Sequence, residues 1–338
     1  MERYSRQQLF APIGEEGQKK IINSHVLVIG AGALGTANAE MLVRGGAGKV
    51  TIVDRDYVEW SNLQRQQLYT EQDAKDRIPK AAAAERRLAS INSEVIVRGI
   101  IEDITSASIF DYCHDADMIV DATDNFETRM LINDAALKQG IPWVYGACVG
   151  SYGLTYTLLP GEGPCLNCLL KQIPMEGQTC DTAGIISPAV QMTAAYQTAE
   201  VFKWLTGEKS AMRREILSFD VWRNQFSKIS VAKVKNSSCP SCGENPVYPY
   251  LTGDKSAKTS VLCGRDTVQI RPAEARSLDF QSLAKQLERA AQKITSNPYL
   301  LSFQAGENRV VVFRDGRALI HGTKDQAEAR RIYQKYLG

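Results

Sequence analysis

The sequence predicts an α/β protein whose doubly wound, mostly parallel sheet is extended by antiparallel strands and followed by a small α+β domain. Three observations support this fold class. The pattern opens with a strand, a glycine-rich turn, a helix and a second strand; strands then alternate with helical segments as far as residue 150; and beyond that point the alternation stops. Such alternation is typical of a parallel sheet with helices on both faces.

The opening unit has a Rossmann-like pattern. The first strand is predicted at His25–Ile29, and the turn Gly30–Gly35 (GAGALG) follows at once. An alanine-rich stretch from Thr36 to Arg44 predicts the helix, and Lys49–Val53 predicts the second strand. A glycine turn in this position lets backbone amides at the start of a helix approach an anion, as phosphate binding requires.

The elements that follow, up to residue 150, are predicted from the spacing of their apolar residues. Short apolar runs indicate buried strands, and longer segments with helical periodicity indicate the helices between them. In chain order we predict helix Lys80–Ile91, strand Glu94–Arg98, strand Met118–Val120, helix Asn125–Gln139 and strand Trp143–Val149.

The pattern changes after Gly150, where strands without intervening helices favour antiparallel pairing. A long helix should end at Gly207, which is a suitable C-cap residue. The predicted elements are strand Leu154–Leu158, helix Ala189–Thr206 and strands Glu215–Phe219 and Gln225–Val231. A junction near Pro246 divides the chain into a first domain, residues 1–245, and a second domain, residues 246–338.

The second domain is predicted to be a small α+β unit without a motif that indicates chemistry. Its predicted strands are Ser260–Cys263, Thr267–Ile270, Tyr299–Phe303, Val310–Phe313 and Ala318–Ile320, and its predicted helices are Phe280–Gln292 and Gln326–Leu337.

Composition excludes several classes of protein. Apolar residues make up 44% and charged residues 23%, as in ordinary globular proteins, and the net charge is only +2. A nucleic-acid-binding protein usually carries a clear basic excess, so no nucleic-acid partner is expected. The N-terminus is too polar for a signal peptide, and no apolar run is long enough to span a membrane. We therefore expect a cytoplasmic protein, in which the eight cysteines are reduced.

The glycine turn indicates a nucleotide but does not identify it. Asp54 lies 24 residues after Gly30, where an acid typically binds a ribose hydroxyl. A dehydrogenase would share both features, so an NAD-dependent oxidoreductase with a structural zinc is one alternative. No P-loop motif is present, which excludes the usual P-loop ATPase.

A polar cluster follows the second strand and is unusual for a dinucleotide site. Arg65 can hold phosphate oxygens with two parallel hydrogen bonds, Asn62 can donate one, and Lys80 can add a point charge. These residues would lie beyond the end of a strand, where open α/β sheets bind ligands. The alternative is that Arg65 and Lys80 are solvated surface residues. The cluster consists of Asp54, Asp56, Ser61, Asn62, Arg65, Gln66 and Lys80.

Asp124 follows a further buried strand in the segment DATDN and has two possible roles. Its carboxylate can coordinate Mg²⁺ that bridges a triphosphate, or it can cap the helix that begins near Phe126. The two roles are compatible.

The cysteines predict a zinc site. Cys165 and Cys168 form one C-x-x-C pair and Cys239 and Cys242 another, which together suffice for a tetrahedral Cys₄ site. The 70 residues between the pairs are too many for a compact zinc ribbon, so the metal should join distant segments and have a structural role. Cys180 lies in a polar loop and is either a reactive or an inert thiol.

These motifs occur together in the order found in the bacterial sulfur-carrier adenylyltransferases, and residues 1–243 strongly resemble that family. Its members activate the carriers of molybdopterin synthase and of thiazole biosynthesis, and they are relatives of the ubiquitin-activating enzymes. The resemblance rests on Arg3–Gln7 (RYSRQ), Gly30–Gly35, Asp54–Asp56, Ser61–Gln66, Lys80, Thr123–Asn125, the two C-x-x-C pairs and Thr179–Cys180.

The resemblance implies an ATP-binding homodimer that adenylates the C-terminal glycine carboxylate of a small ubiquitin-like sulfur carrier ending in Gly-Gly. It implies that Asp54 holds the ribose, that Asp124 serves Mg²⁺ and that Arg6 reaches into the partner subunit's site. Ala33 stands where relatives often have glycine, which slightly narrows the turn. The implied nucleotide-binding residues are Gly30, Gly32, Ala33, Gly35, Asp54, Asp56, Ser61, Asn62, Arg65, Gln66, Lys80, Asp124 and Asn125. The implied catalytic residues are Arg6, Arg65, Lys80, Asp124 and Cys180.

Several points stay open after this comparison of motifs. In the thiazole branch the cysteine equivalent to Cys180 is implicated in a covalent link to the carrier, whereas in the molybdopterin branch it is less necessary. The carrier is of the MoaD or the ThiS type, and because no rhodanese domain is recognisable, the sulfur donor should be a separate persulfide-bearing protein. A tRNA-modifying member of the same superfamily and a non-catalytic zinc scaffold are weaker alternatives.

Overall fold

The chain forms two compact units, Met1–Gly253 and Asp254–Gly338. The computed structural model describes residues 2–170, 183–252, 258–261, 266–272 and 276–338. The division between the two units thus follows Gly253, whereas the sequence places the domain boundary after residue 245. Cys180 and Cys263 lie outside the described residues.

The first unit is built on an eight-stranded sheet with the order β3-β2-β1-β4-β5-β6-β7-β8. The five strands from β3 to β5 in this order pair in parallel, and β6, β7 and β8 continue the sheet in antiparallel fashion. The predicted fold class is therefore confirmed. The strands are β1 His25–Ile29, β2 Lys49–Asp54, β3 Ile96–Ile101, β4 Met118–Asp121, β5 Trp143–Val149, β6 Tyr152–Leu158, β7 Glu215–Asp220 and β8 Gln225–Ser230.

Helices cover both faces of this sheet. Successive side chains of a strand point to opposite faces, so strands that are apolar throughout need a cover on each face. In β1, Val26 and Val28 join one apolar core, whereas Leu27 and Ile29 join the other. Helices α2, α3, α5 and α9 pack on the first face, and α6, α7 and α8 pack on the second. The helices are α1 Ser5–Gln8, α2 Gly14–Ile22, α3 Ala33–Gly45, α4 Glu71–Lys75, α5 Lys80–Ile91, α6 Ile109–Cys113, α7 Phe126–Gln139, α8 Leu166–Leu170 and α9 Ser187–Thr206.

The second unit is a six-stranded antiparallel sheet with the order β11-β12-β13-β14-β10-β9, and two helices pack on its core. The helix predicted at Phe280–Gln292 is shorter than expected because Gln292 begins a strand. That strand has mostly exposed residues and so lacks the apolar alternation that would have revealed it. The elements are β9 Lys258–Val261, β10 Thr267–Arg271, α10 Phe280–Leu287, β11 Gln292–Ser296, β12 Leu300–Ala305, β13 Asn308–Phe313, β14 Ala318–His321 and α11 Gln326–Leu337.

Smaller differences concern the ends of elements. The strand predicted at Glu94–Arg98 runs from Ile96 to Ile101, because it continues along β2 as far as Asp54. Within the described residues, none of the helices combines the length and the apolar character that crossing a membrane requires.

Candidate functional site

The chemistry-bearing segments meet at the carboxyl edge of the parallel sheet. Strand β1 lies between β2 and β4, so the direction of chain progression reverses at β1. In open α/β sheets such a reversal opens a crevice in which ligands bind. The glycine turn after β1, the acidic segment after β2 and Asp124 after β4 all lie at this edge.

The glycine turn is packed against the end of β4. Gly30 has φ +98°, and a Cβ atom built on it would lie 2.5 Å from the carbonyl oxygen of Ala122. A Cβ on Gly35 would lie 1.9 Å from the carbonyl oxygen of Gly30. Gly32 differs, since the nearest atom to its Cβ position is Gln66 Nε2, at 4.0 Å. The backbone at Gly32 therefore borders open space at the start of α3.

Asp54 fastens the glycine turn to the end of β2. Its Oδ2 accepts a hydrogen bond from the Ala31 amide at 2.6 Å, and its Oδ1 accepts one from the Asp56 amide at 2.7 Å. Burial raises the pKa of the Asp54 carboxyl, and the positive charge of Lys80 acts in the opposite direction. A carboxylate has about four lone-pair sites, so Asp54 can still accept a hydrogen bond from a ligand hydroxyl.

Lys80 is a buried residue of the site. Its side chain is only 5% exposed, and its Nζ lies 3.4 Å from Asp56 Oδ2. The Lys80 amide also donates to the Asp56 carbonyl at 2.9 Å, at the point where α5 begins after Pro79. The alternative interpretation of Lys80 as a solvated surface residue is therefore wrong. A buried ammonium held by one carboxylate is a suitable group for an anionic ligand.

Asn62 and Gln66 are also buried, and Arg65 lies between them with partial exposure. Asn62 Oδ1 accepts a hydrogen bond from the Glu59 amide at 3.0 Å, which fixes the short 3-10 helix Trp60–Asn62. Gln66 Oε1 is buried without a hydrogen-bond partner among the described residues. Arg65 Nη1 donates to the carbonyl of the exposed Ser61 at 2.8 Å.

Asp124 is exposed beyond the end of β4 and does not cap the helix that follows. The cap of α7 is Asn125, whose Oδ1 accepts a hydrogen bond from the Thr128 amide at 2.8 Å. Of the two roles that the sequence leaves open for Asp124, the structure therefore rules out the helix cap. Because Asn125 supplies the cap, its own acceptor is occupied, and the carboxylate of Asp124 is not needed for helix initiation.

Two residues that were not predicted from the sequence, Asp121 and Arg129, form a buried ion pair at the end of β4. Arg129 Nε lies 3.2 Å from Asp121 Oδ2. Arg129 Nη2 donates to the carbonyls of Thr123 at 2.8 Å and of Gly146 at 3.1 Å, which joins the segment after β4 to the middle of β5. Burial raises the pKa of the Asp121 carboxyl, and Arg129 opposes that effect. The signal in the sequence was Asp121 itself, an acidic residue at the end of a buried apolar strand.

The four cysteines of the two C-x-x-C pairs converge as predicted. Their sulfur atoms all lie within 4.8 Å of one another, and three of the sulfur–sulfur distances are 3.9, 3.6 and 3.5 Å. A tetrahedral zinc with Zn–S bonds of about 2.3 Å has sulfur–sulfur edges of about 3.8 Å. The donor set and its spacing therefore fit a Cys₄ zinc ion. The four cysteines that could hold the ion are Cys165, Cys168, Cys239 and Cys242.

The two remaining predicted residues are Arg6 and Cys180. Arg6 is exposed on the short helix α1, so its side chain is accessible at the surface. Cys180 falls in the segment outside the described residues, and its role stays a prediction.

Comparison with known proteins connects this geometry to an enzyme family. A family model described as the ThiF family matches residues 4–241. A Bacillus subtilis relative named "Sulfur carrier protein ThiS adenylyltransferase" is 57% identical over 336 residues, which cover 99% of both chains. An Escherichia coli relative of the same name is 35% identical over 248 residues, which cover 73% of this chain and 97% of the relative.

A likeness to solved structures concerns the fold. The crystal structure of E. coli MccB with ATP has a TM-score of 0.61 and 22% sequence identity, and the match covers 72% of this chain and 75% of that one. The family match ends at residue 241, whereas the Bacillus relative matches nearly the whole chain. The second unit therefore lies outside the family match but is shared with that relative.

Proposed function

This chain belongs to the ThiF family, and we propose that it adenylates the C-terminal glycine carboxylate of a small ubiquitin-like sulfur carrier, with ATP as the donor and pyrophosphate as the second product. The names of its relatives state adenylylation of a sulfur carrier. The observation that supports the proposal most strongly is the 57% identity to the Bacillus relative across 99% of both chains. The oxidoreductase alternative is not supported.

The site's residues suit this reaction because it brings two anions together. The carrier's carboxylate attacks the α-phosphorus of ATP, the bond to the β-phosphate oxygen breaks, and pyrophosphate leaves with the added charge. We assign Arg65 and Lys80 to the phosphates, where cations stabilise that charge. Asp54 would hold the ribose, and Asn62 and Gln66 would contact the phosphates from their buried positions. The attacking carboxylate is already ionised, so no general base is required.

We also propose that the enzyme uses Mg²⁺ with the nucleotide and holds Zn²⁺ at the four cysteines. A magnesium ion bound at Asp124 would supply charge neutralisation for the triphosphate. The zinc would be structural, since four cysteine ligands leave no open position for chemistry.

The carrier proposed for this enzyme is of the ThiS type. Both the Bacillus and the E. coli relatives carry that carrier in their names. The product would then be a carrier acyl-adenylate. This product would be activated for sulfur transfer from a persulfide-bearing donor, in the thiazole branch of thiamine biosynthesis. A MoaD-type carrier of molybdenum cofactor biosynthesis is the second candidate.

We further propose a cytoplasmic homodimer in which Arg6 acts in the partner subunit's site. Exposed apolar residues on the same N-terminal segment support an interface there, because Leu9 is 72% and Phe10 60% exposed. Cys180 is proposed as the thiol that links to the carrier.

The test of the proposed function is ATP–pyrophosphate exchange with purified carriers. Exchange that requires a ThiS-type carrier, and is lost when its last glycine is deleted, is the expected result. Exchange with a MoaD-type carrier alone would show that the enzyme serves molybdenum cofactor biosynthesis and not the thiazole branch. Tight NAD binding without carrier-dependent exchange would contradict it.

A pair of glycine variants tests where the nucleotide binds. Gly32→Ala should weaken ATP binding by about tenfold, or about 1.4 kcal/mol, because the new methyl group enters the open space where the phosphates approach. Its unfolding temperature should be unchanged, since the nearest protein atom lies 4.0 Å away. Gly35→Ala should instead destabilise the fold by about 1–3 kcal/mol or more, because its Cβ would lie 1.9 Å from the Gly30 carbonyl oxygen.

Isothermal titration and thermal unfolding separate these two effects. A Gly32→Ala enzyme that binds ATP as tightly as the wild type would place the nucleotide elsewhere.

A further inference from the structure

Helix α7 carries two polar residues, Asn133 and Asp134, that the proposed reaction does not use. Both are completely buried in its third turn, on a helix that begins two residues after Asp124. A buried carboxylate is rare in proteins unless it is paired or hydrogen-bonded, because its desolvation is costly. The partners of these two side chains therefore indicate their role.

The partners of Asn133 and Asp134 are two backbone amides. One directly follows a cysteine, and the other belongs to a segment whose Tyr248 amide donates at 3.1 Å to the carbonyl of Pro240, within the second C-x-x-C pair. Asn133 Oδ1 accepts a hydrogen bond at 2.9 Å from the amide of Leu166, which directly follows Cys165. Asp134 Oδ2 accepts one at 3.0 Å from the amide of Tyr250, which lies eight residues after Cys242.

The two side chains are also joined to each other. Asn133 Nδ2 donates to Asp134 Oδ1 at 3.1 Å, so the two backbone segments are held by one connected polar unit.

A second contact joins the two cysteine pairs directly. Asn167 Nδ2 donates to Ser241 Oγ at 3.0 Å, and Ser241 is only 1% exposed. Each of these residues lies between the two cysteines of its own pair. The sulfur atoms of Cys165 and Cys239, which belong to residues 74 positions apart, lie 3.6 Å from each other.

We propose that Asn133 and Asp134 are positioning residues for the Cys₄ metal site, and that α7 preorganises this site without supplying a ligand. The inference rests on the proposed zinc. Closing a long loop costs conformational entropy, and crowding four thiolates is electrostatically unfavourable. Hydrogen bonds that fix the backbone next to Cys165, and the segment that is itself bonded to Pro240, lower the entropic cost that metal binding must offset. Loss of a partner that hydrogen-bonds a ligating side chain typically weakens metal affinity about 10–100-fold, and we expect partners of the neighbouring backbone to act within the same range.

Competition with a chromophoric zinc chelator tests this role on the full-length protein. Asn133→Ala removes the acceptor for the Leu166 amide, and Asp134→Asn keeps the shape of the side chain but replaces one acceptor oxygen with a donor. Both variants should raise the zinc dissociation constant by about 10–100-fold.

The matched control is Asn92→Ala. Asn92 is equally buried and donates hydrogen bonds to Tyr4 Oη and the Val43 carbonyl, far along the chain from either cysteine pair. This variant should lose thermal stability but keep wild-type zinc affinity, which separates positioning from general destabilisation.

The outcomes distinguish this inference from the zinc proposal. If wild-type protein retains zinc and Asp134→Asn binds it within about twofold of wild type, the inference is wrong even if Asn133→Ala does not fold. An equal loss of zinc affinity in Asn92→Ala would also overturn it. Wild-type protein that binds no zinc would refute the zinc site itself and this inference with it.

Discussion

Asp124→Ala is expected to lower carrier-dependent ATP–pyrophosphate exchange by about 10³-fold, because it removes the carboxylate proposed to hold Mg²⁺ beside the triphosphate. The fold should be unaffected. Asp124 is exposed, and the helix behind it is capped by Asn125, so the variant loses no structural hydrogen bond at that cap. Exchange assays at saturating ATP and carrier, together with thermal unfolding, measure both parts of the expectation.

Glu127→Ala is the matched control for Asp124→Ala. Glu127 is an exposed acid in the first turn of the same helix, and its removal changes the net charge by the same amount. Its exchange rate should stay within a few-fold of wild type. Arg65→Ala should resemble Asp124→Ala, because Arg65 is assigned to the phosphates. Full activity in both Asp124→Ala and Arg65→Ala would remove the assignment of this edge of the sheet as the catalytic site.

Cys239→Ser is expected to lower the unfolding temperature by about 10 °C or more and to abolish stoichiometric zinc binding, because metal binding to a Cys₄ site contributes directly to folding stability. Cys239 is buried, 3% exposed, among the four clustered sulfur atoms. Treating wild-type protein with a strong chelator should produce a similar loss of stability. Metal analysis and scanning calorimetry are the measurements.

Cys113→Ser controls for the loss of a buried thiol. Cys113 is 0% exposed and belongs to the same apolar core, but it lies outside the sulfur cluster, and burial raises its pKa to about 11. This variant should bind one zinc per chain and should not respond differently from wild type to added chelator. Equal stability of Cys239→Ser and wild type would contradict a structural metal.

Much of the fold was predictable because its signals are local. The run HVLVI, the glycine turn and the alanine-rich helix are adjacent in the chain, and strand or helix formation there depends on neighbours within a few residues. The antiparallel extension was predictable from strands without intervening helices. Strand β11 was missed because its mostly exposed residues carry no apolar period.

The candidate site was predictable in its residue types but not in its internal contacts. Asp124 and Asn125 are both good helix caps, and only the backbone conformation shows that Asn125 takes that role. Lysine is usually a surface residue. Lys80 is buried because the segment that carries Asp56 packs over the start of α5. In both cases the outcome depends on where the fold places a neighbouring backbone segment, which the residue types alone do not show.

The amino-acid sequence by itself determined the strand–turn–helix unit, the polar cluster beyond β2 and the two C-x-x-C pairs, since these depend on residue type and short spacing. Only the tertiary structure decided that Asp121 pairs with Arg129, and that Asn133 and Asp134 accept hydrogen bonds from the amides of Leu166 and Tyr250. The contacts of Asn133 and Asp134 join residues 33 and 116 positions apart in the chain, and the Asp121–Arg129 pair joins the end of β4 to the helix that follows. Their formation is governed by burial, which requires each polar group to find a partner wherever the fold provides one.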